Sequence, residues 1–299
     1  MSYTNGLDDP SAYFQTTLYS GTGSQQSITN GGNSDLQPDF LWIKERDGTS
    51  SHQLVDSVRL YYNRLESDNA SAELDAGQTG ATNQNVTSFD SDGFGVKNGG
   101  AVNASGNTYV AWQWKAGTTG SGTTTGSGTG KAYSYSANST SGFQITKYVG
   151  NGTLGHTIPN HTGKIPTMII FKQLNASRGW GVYHKDLGAN KIIYLDENIA
   201  PQTIESNQWM NGTVPTSSVV TLGTLNEQNI NDADYIMYSF SNVQSYCKMG
   251  SYIGNGNANG TFIYTGFKPA WVMAKNTDAT KSWFMYDNKR DPFNPTVEK

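Results

Sequence analysis

The sequence predicts an all-β chain built from tandem antiparallel β-sandwiches of jelly-roll type. Three observations predict it. Short apolar runs are bounded by Gly, Asn and Pro, which suits strands better than helices. Aromatic residues alternate with polar ones at period two in the longer runs, as in antiparallel strands with one face in a core. A set of landmarks also recurs along the chain in units of more than a hundred residues, too long for a solenoid and right for whole domains strung as beads in a row.

Each repeat opens on a tyrosine and a Gly-x-Gly. Tyr19, Gly21 and Gly23 recur as Tyr148, Gly150 and Gly152, and again as Tyr252, Gly254 and Gly256. The glycines predict a break in the strand and a tight turn with positive φ. A proline then opens an apolar run that ends in lysine: Pro38 to Lys44, Pro166 to Lys172 and Pro269 to Lys275. Four successive apolar residues predict a strand buried on both faces. At a fixed distance beyond each lysine stand His52, Trp180 and Trp283, followed by Val55-Asp56, Tyr183-His184 and Tyr286-Asp287. Leu54, Val58, Tyr61, Tyr62 and Leu65 sit at helical spacing, so Leu54–Leu65 reads equally as a short helix or as strand and turn.

A closing element occurs only twice. Asn103 to Trp114 aligns with residues 229–240, placing Val110, Trp112 and Trp114 on one strand face as Ile236, Tyr238 and Phe240 are on the other. Phe94-Gly95-Val96 and Val220-Thr221-Leu222 precede them. These landmarks divide the chain into a first sandwich at 1–117, a Gly/Ser/Thr linker at 118–130, a second sandwich at 131–246, and the opening half of a third at 247–299. Half a sandwich leaves Phe262, Tyr264 and Trp271 as expected interface residues. Two explanations stay open: a piece of a longer protein, or completion by another chain through strand addition, in which case the chain is a homo-oligomer.

Composition excludes several classes. The 17 Tyr, 11 Phe and 7 Trp argue against disorder. A net charge of −4 without a Lys/Arg cluster argues against nucleic acid as a partner. No apolar run approaches the roughly 18 residues of a membrane span, and the first residues lack the basic start and apolar core of a signal peptide. One cysteine, Cys247, forms neither an internal disulfide nor a paired metal site. Four scattered histidines predict no metal centre, and nothing calls for a cofactor.

Catalytic patterns are equally absent. Asp90 with Asp92 and Asp196 with Glu197 are too close in turn-like sequence to flank a glycosidic bond. Asp90-Ser91-Asp92-Gly93 reads as a turn, and no Gly-x-Ser-x-Gly elbow occurs. Lys44, Lys172 and Lys275 read as strand-end lysines that snorkel to water. His156 and His161 read as exposed turn residues, and Asp287 with Arg290 as an ion pair at a strand end. No catalytic residue is assigned and no enzyme is expected. Among the tryptophans, Trp180, Trp209 and Trp283 lie beside loops, so they are the candidates for stacking on sugar rings.

The string Gly6 to Thr16, Asn33 to Pro38, Trp42-Ile43-Lys44, the Asn103–Trp114 element and the strings Gly250–Gly256 and Trp283–Arg290 resemble a family of repeat domains. That family occurs in tail, fibre and other virion proteins of tailed bacteriophages, notably marine ones. The resemblance implies concanavalin-like jelly-roll domains located in a virion, on the tail or capsid surface. It carries over no catalytic or binding residues, and His52 departs from the repeat's tryptophan. The function expected from it is a tail fibre or appendage contacting host-surface polysaccharide, with other virion proteins as partners. The alternative is a capsid or tail decoration protein that binds virion proteins without glycan. A polysaccharide depolymerase is the least supported reading.

Overall fold

The computed structural model describes residues 7–75, 86–97 and 99–292. The chain is all-β, with several antiparallel sheets. In the first unit, six strands are ordered Phe14–Ser20, Thr108–Trp114, Phe40–Glu45, Gln53–Asp56, Leu60–Glu66 and Leu74–Asp75. A three-stranded sheet of Gln26–Thr29, Gly93–Val96 and Val86–Asp90 covers one face. Leu41, Ile43, Val55, Tyr109 and Ala111 pack there against Ile28, Phe94 and Val96, giving a two-layer sandwich.

The second unit repeats this order. Its strands Phe143–Val149, Asp234–Ser241, Pro166–Gln173, Gly181–His184 and Lys191–Tyr194 lie side by side in the same succession. His156–Pro159 pairs with Val219–Thr221 over them. Ile169, Phe171, Tyr183 and Met237 fill the core between these layers with Ile158 and Val220. The third unit contributes one hairpin, Trp271–Lys275 paired with Trp283–Asp287.

The segment 118–130 is not the expected flexible linker. Thr118–Thr123 pairs with Ala132–Asn138 as the outer strand of the second unit's sheet, and Thr125–Gly126 pairs with His156 and Thr157. Tyr135 and Tyr133 lie across Gly120 and Gly122, where a Cβ would collide with their rings. The glycines are therefore seats for cross-strand aromatics, and the threonines favour the extended backbone.

Leu54–Leu65 resolves as two strands and a turn. Asp56 Oδ1 accepts from the Val58 and Arg59 amides at 3.0 and 2.8 Å, and Leu60 turns at φ 78°. An aspartate that claims two backbone N–H groups holds the turn closed against helix formation.

Nor are the units beads in a row. The alternate residues of the large sheets, Phe40, Trp42, Trp112 and Trp114 from the first and Ile145, Ile170, Ile236 and Tyr238 from the second, form one continuous apolar cluster. Trp271, Met273, Trp283 and Met285 of the third unit pack against it. In the two complete units the post-proline strands are apolar throughout because one face meets its own small sheet and the other meets neighbouring units.

Candidate functional site

The repeat landmarks build the turns first. In the first unit the Tyr109 hydroxyl accepts from Ala104 N (2.8 Å) and donates to Gly100 O (2.9 Å). In the second the Tyr235 hydroxyl accepts from Ile230 N (2.9 Å) and donates to Asn226 O (2.7 Å). Asn103 Oδ1 accepts from Thr22 N (2.9 Å), and Asn229 Oδ1 from Asn151 N (2.9 Å). This brings the closing loop onto the Gly-x-Gly turn so tightly that a Cβ on Gly21 would strike Ala104 O, and one on Gly150 would strike Ile230 O.

The next landmarks join unit to unit. Asp56 Oδ2 accepts from Arg59 Nε at 2.6 Å and from the Tyr238 hydroxyl at 2.7 Å, and Arg59 Nη2 donates back to that hydroxyl at 3.1 Å. The group joins first unit to second and is fully buried. Between third and first, Asp287 Oδ2 accepts from Arg290 Nε at 2.5 Å and from Trp112 Nε1 at 3.1 Å, and the guanidinium lies 5.0 Å over the Trp112 ring. Trp112 and Tyr238 hold the same place in the repeat. Phe40 stacks on Tyr238 at 4.4 Å, and Trp271 approaches Trp112 at 6.4 Å and Phe14 at 6.3 Å in the matching positions.

A second contact runs the opposite way. Trp180 Nε1 donates to Glu66 O (3.0 Å) and Asn69 O (3.1 Å) of the first unit, and Trp283 Nε1 donates to Tyr194 O (2.9 Å) of the second. The Asp-position junction joins first to second and third to first, and the Trp-position contact joins second to first and third to second, so each unit contacts both others. His184 stands where Asp56 and Asp287 stand in the other units, its Nδ1 accepting from Asp186 N at 3.3 Å.

These contacts leave no ring face of Trp180 or Trp209 open to a sugar. Trp180 and Trp209 are 0% exposed. Trp209 meets Phe171 edge-on at 5.4 Å, and its ring abuts Gly181. Trp283 is half-buried with its N–H engaged. A buried ring has no face to offer a pyranose. Sequence proximity to a loop misled because Trp180 is covered by the first unit and Trp209 by the core of its own unit.

The remaining candidates also find structural partners. Lys172 does not snorkel: its ammonium is enclosed, donates to Gln173 O at 2.8 Å, and is pushed down to about 8 by burial. His156 is fully buried and bonds Asn151 Nδ2 at 2.8 Å, whereas His161 is exposed and stacks on Tyr135 at 3.6 Å. Trp42 Nε1 donates to His52 Nδ1 at 2.8 Å, and burial pushes the imidazole down to about 4. Burial raises the Asp196 and Glu227 carboxyls, the latter hydrogen-bonded to Tyr194. Perturbed acids of this kind can mark catalysis, but Asp196 is committed to Trp180 N at 2.9 Å, holding the loop that carries that tryptophan. Among the described residues no group of three or more His, Cys, Asp or Glu is placed to hold a metal.

One surface stays open. On the third hairpin, Val272, Phe284 and Tyr286 are 44–48% exposed. Their counterparts Leu41, Val55, Ile169 and Tyr183 are buried beneath the small sheets. Phe262 and Tyr264, expected at an interface, are 87% and 73% exposed, while Trp271 is turned inward onto the first unit. A groove of about 340 Å³ lies beside Val243, Cys247, Lys248 and Tyr264.

Residues 9–299 match the family described as Domain of unknown function (DUF7483), and the chain belongs to that family. No curated protein matches the chain. No solved structure matches it.

Proposed function

We propose that this member of the family is a non-enzymatic structural component of a bacteriophage virion, in which jelly-roll, concanavalin-like sandwiches serve as scaffold and bind other virion proteins. The sequence resemblance supports the virion setting. The observation that carries the binding role is the open apolar face of Val272, Phe284 and Tyr286, whose equivalents are covered in both complete units. Apolar surface of this kind marks a protein contact rather than a sugar site. The reading therefore favours a decoration or structural role over a fibre that grips host polysaccharide through Trp180, Trp209 or Trp283.

Immunogold labelling and peptide mass spectrometry of purified particles test it. The expected result is the chain at regular positions on head or tail. Its absence from intact particles overturns the proposal. One observation favours host glycan as a second reading: exposed His161 stacks on half-buried Tyr135, with Tyr133 at 6.2 Å from Tyr135, forming an aromatic ledge. Glycan-array binding lost on Tyr135→Ala supports that reading, and an array with no signal removes it.

A further inference from the structure

Residues 124–130 cross the small sheet of the second unit as a strap. It is closed at its base, where Thr124 N donates to Lys131 O at 2.8 Å and Lys131 N donates to Thr124 Oγ1 at 2.7 Å. Thr125–Gly126 pairs with Thr157 and His156, and Ser127 N donates to Gly155 O at 3.0 Å. Gly128 then passes so close over Asn151 that a Cβ would strike its Nδ2. From residue 125 to residue 130 the strap is exposed and carries no large apolar side chain, so polar contacts hold it. An element held in this way sits at the low end of local stability.

Two buried side chains make the central contacts. Asn151 Nδ2 donates to Ser127 O at 2.9 Å and Thr129 O at 3.0 Å, while Asn151 Oδ1 accepts from Thr153 N at 2.9 Å. These partners fix which end of the amide faces the strap. His156 Nδ1 lies 2.8 Å from the same Nδ2, so it is the acceptor, and the imidazole is neutral with its proton on Nε2. Ser127 O stands 3.4 Å from Nδ1, too far for a strong bond. Among the described residues Nε2 has no partner, and the side chain is 0% exposed. A proton on Nδ1 sets donor against donor: the Asn151 amide then cannot keep both its place beside the ring and the two strap carbonyls.

We propose that residues 124–130 are an acid-released strap: protonation of His156 displaces the Asn151 amide, the strap lifts, and the strand His156–Pro159 is left with one open edge. That strand keeps Val219–Thr221 on its other side. Burial holds the imidazole below its ordinary value, helped by Lys131 and opposed by the long contact to Ser127 O. With the strap open the ring takes up its proton near 6.5, and with the strap closed only at lower pH. Closure is therefore complete above about 6.5 and weakens as the pH falls below it. The other charged side chains on the strap and the closing loop do not produce this response. Lys131 pairs with Asp232 and keeps that carboxylate below the usual range, so it stays ionised throughout. Glu227, raised by burial and bonded to Tyr194, favours the folded state as the pH falls, which is the opposite sign. The proposal goes beyond the virion reading and does not depend on it.

Amide hydrogen exchange of the 1–299 protein, corrected for the intrinsic pH dependence of exchange, tests it. Between about pH 7.5 and about pH 5, protection of the Thr124 and Ser127 amides is expected to fall by up to about 30-fold, the limit for an imidazole that protonates only when the strap opens. The central strand Asp234–Ser241 is expected to change far less. His156→Asn puts an amide oxygen that does not titrate near the Nδ1 position, and its strap is expected to show no such fall. His52→Gln, which removes the other strongly perturbed histidine, is expected to keep it. A strap whose protection is independent of pH, an equal loss throughout the second unit, a response that survives in His156→Asn, or one abolished by His52→Gln each overturns the proposal. If His156→Asn does not fold, an NMR titration of the parent decides: the His156 ring and the Ser127 amide must respond with one midpoint, and two separate midpoints overturn the coupling.

Discussion

The two Asp/Arg junctions use the same spacing in different surroundings. Asp56 and Arg59 are sealed, with Tyr238 closing a triangle of hydrogen bonds and Glu73 a second acceptor for the guanidinium at 2.7 Å. Asp287 is equally enclosed, but Arg290 is partly exposed and meets Trp112 through an N–H and a ring face. The difference teaches that the repeated motif acts as a latch between units, and that its strength depends on how completely the joined units cover it. A buried pair gains no stability over apolar residues by being charged, but removing one partner strands the other.

The sharpest way to break this comparison is to remove each arginine. Arg59→Ala is expected to cost about 3–5 kcal/mol, because the Asp56 carboxylate is left buried and uncompensated. Arg290→Ala is expected to cost about 1 kcal/mol, since water reaches the gap. Urea unfolding of both variants gives the two values, and equal losses would refute the distinction.

A pH series extends it to His52, which occupies the repeat position of Trp180 and Trp283. Its imidazole is neutral when folded and falls to about 4, below the ordinary 6.5. Because the unfolded chain takes up the proton first, stability is full above about 6.5 and declines as pH falls toward 4, by up to about 3 kcal/mol. His52→Gln keeps an acceptor for Trp42 and should flatten that portion of the stability curve relative to the parent.

The glycine turns give a paired test of smaller size. Gly150→Ala is expected to cost about 1–3 kcal/mol through collision with Ile230 O, whereas Gly254→Ala should be silent in thermal melts. Tyr238→Phe is the finest probe: it removes one hydroxyl from the Asp56–Arg59 triangle and should cost about 1–2 kcal/mol. A loss no larger than that from Trp112→Phe would erase the contrast between the junctions.

Much of the strand layout was legible in the residues. Period two at Val110, Trp112 and Trp114 marks a strand, and the apolar run from Phe40 to Ile43 correctly implies burial on both sides. The Gly-x-Gly and Asn/Tyr landmarks point to turns, and the structure adds that they hold each other. What could not be read is which partner covers each face. Phe40 and Leu41 look alike in sequence, although one meets Tyr238 of another unit and the other meets its own small sheet. Trp180 read as available for sugar because the carbonyls of Glu66 and Asn69 that bind it are more than a hundred residues away. Gly120 and Gly122 read as linker because the tyrosines above them are neighbours only across strands.

The cluster that runs through Phe40, Trp112, Ile170 and Tyr238, with Trp271 and Trp283 against it, has a thermodynamic consequence. No unit can detach without exposing the central aromatics of its neighbours, so heating should melt the assembly in one cooperative step. Dissection into separate sandwiches would yield pieces with a raw apolar flank, prone to stick to one another.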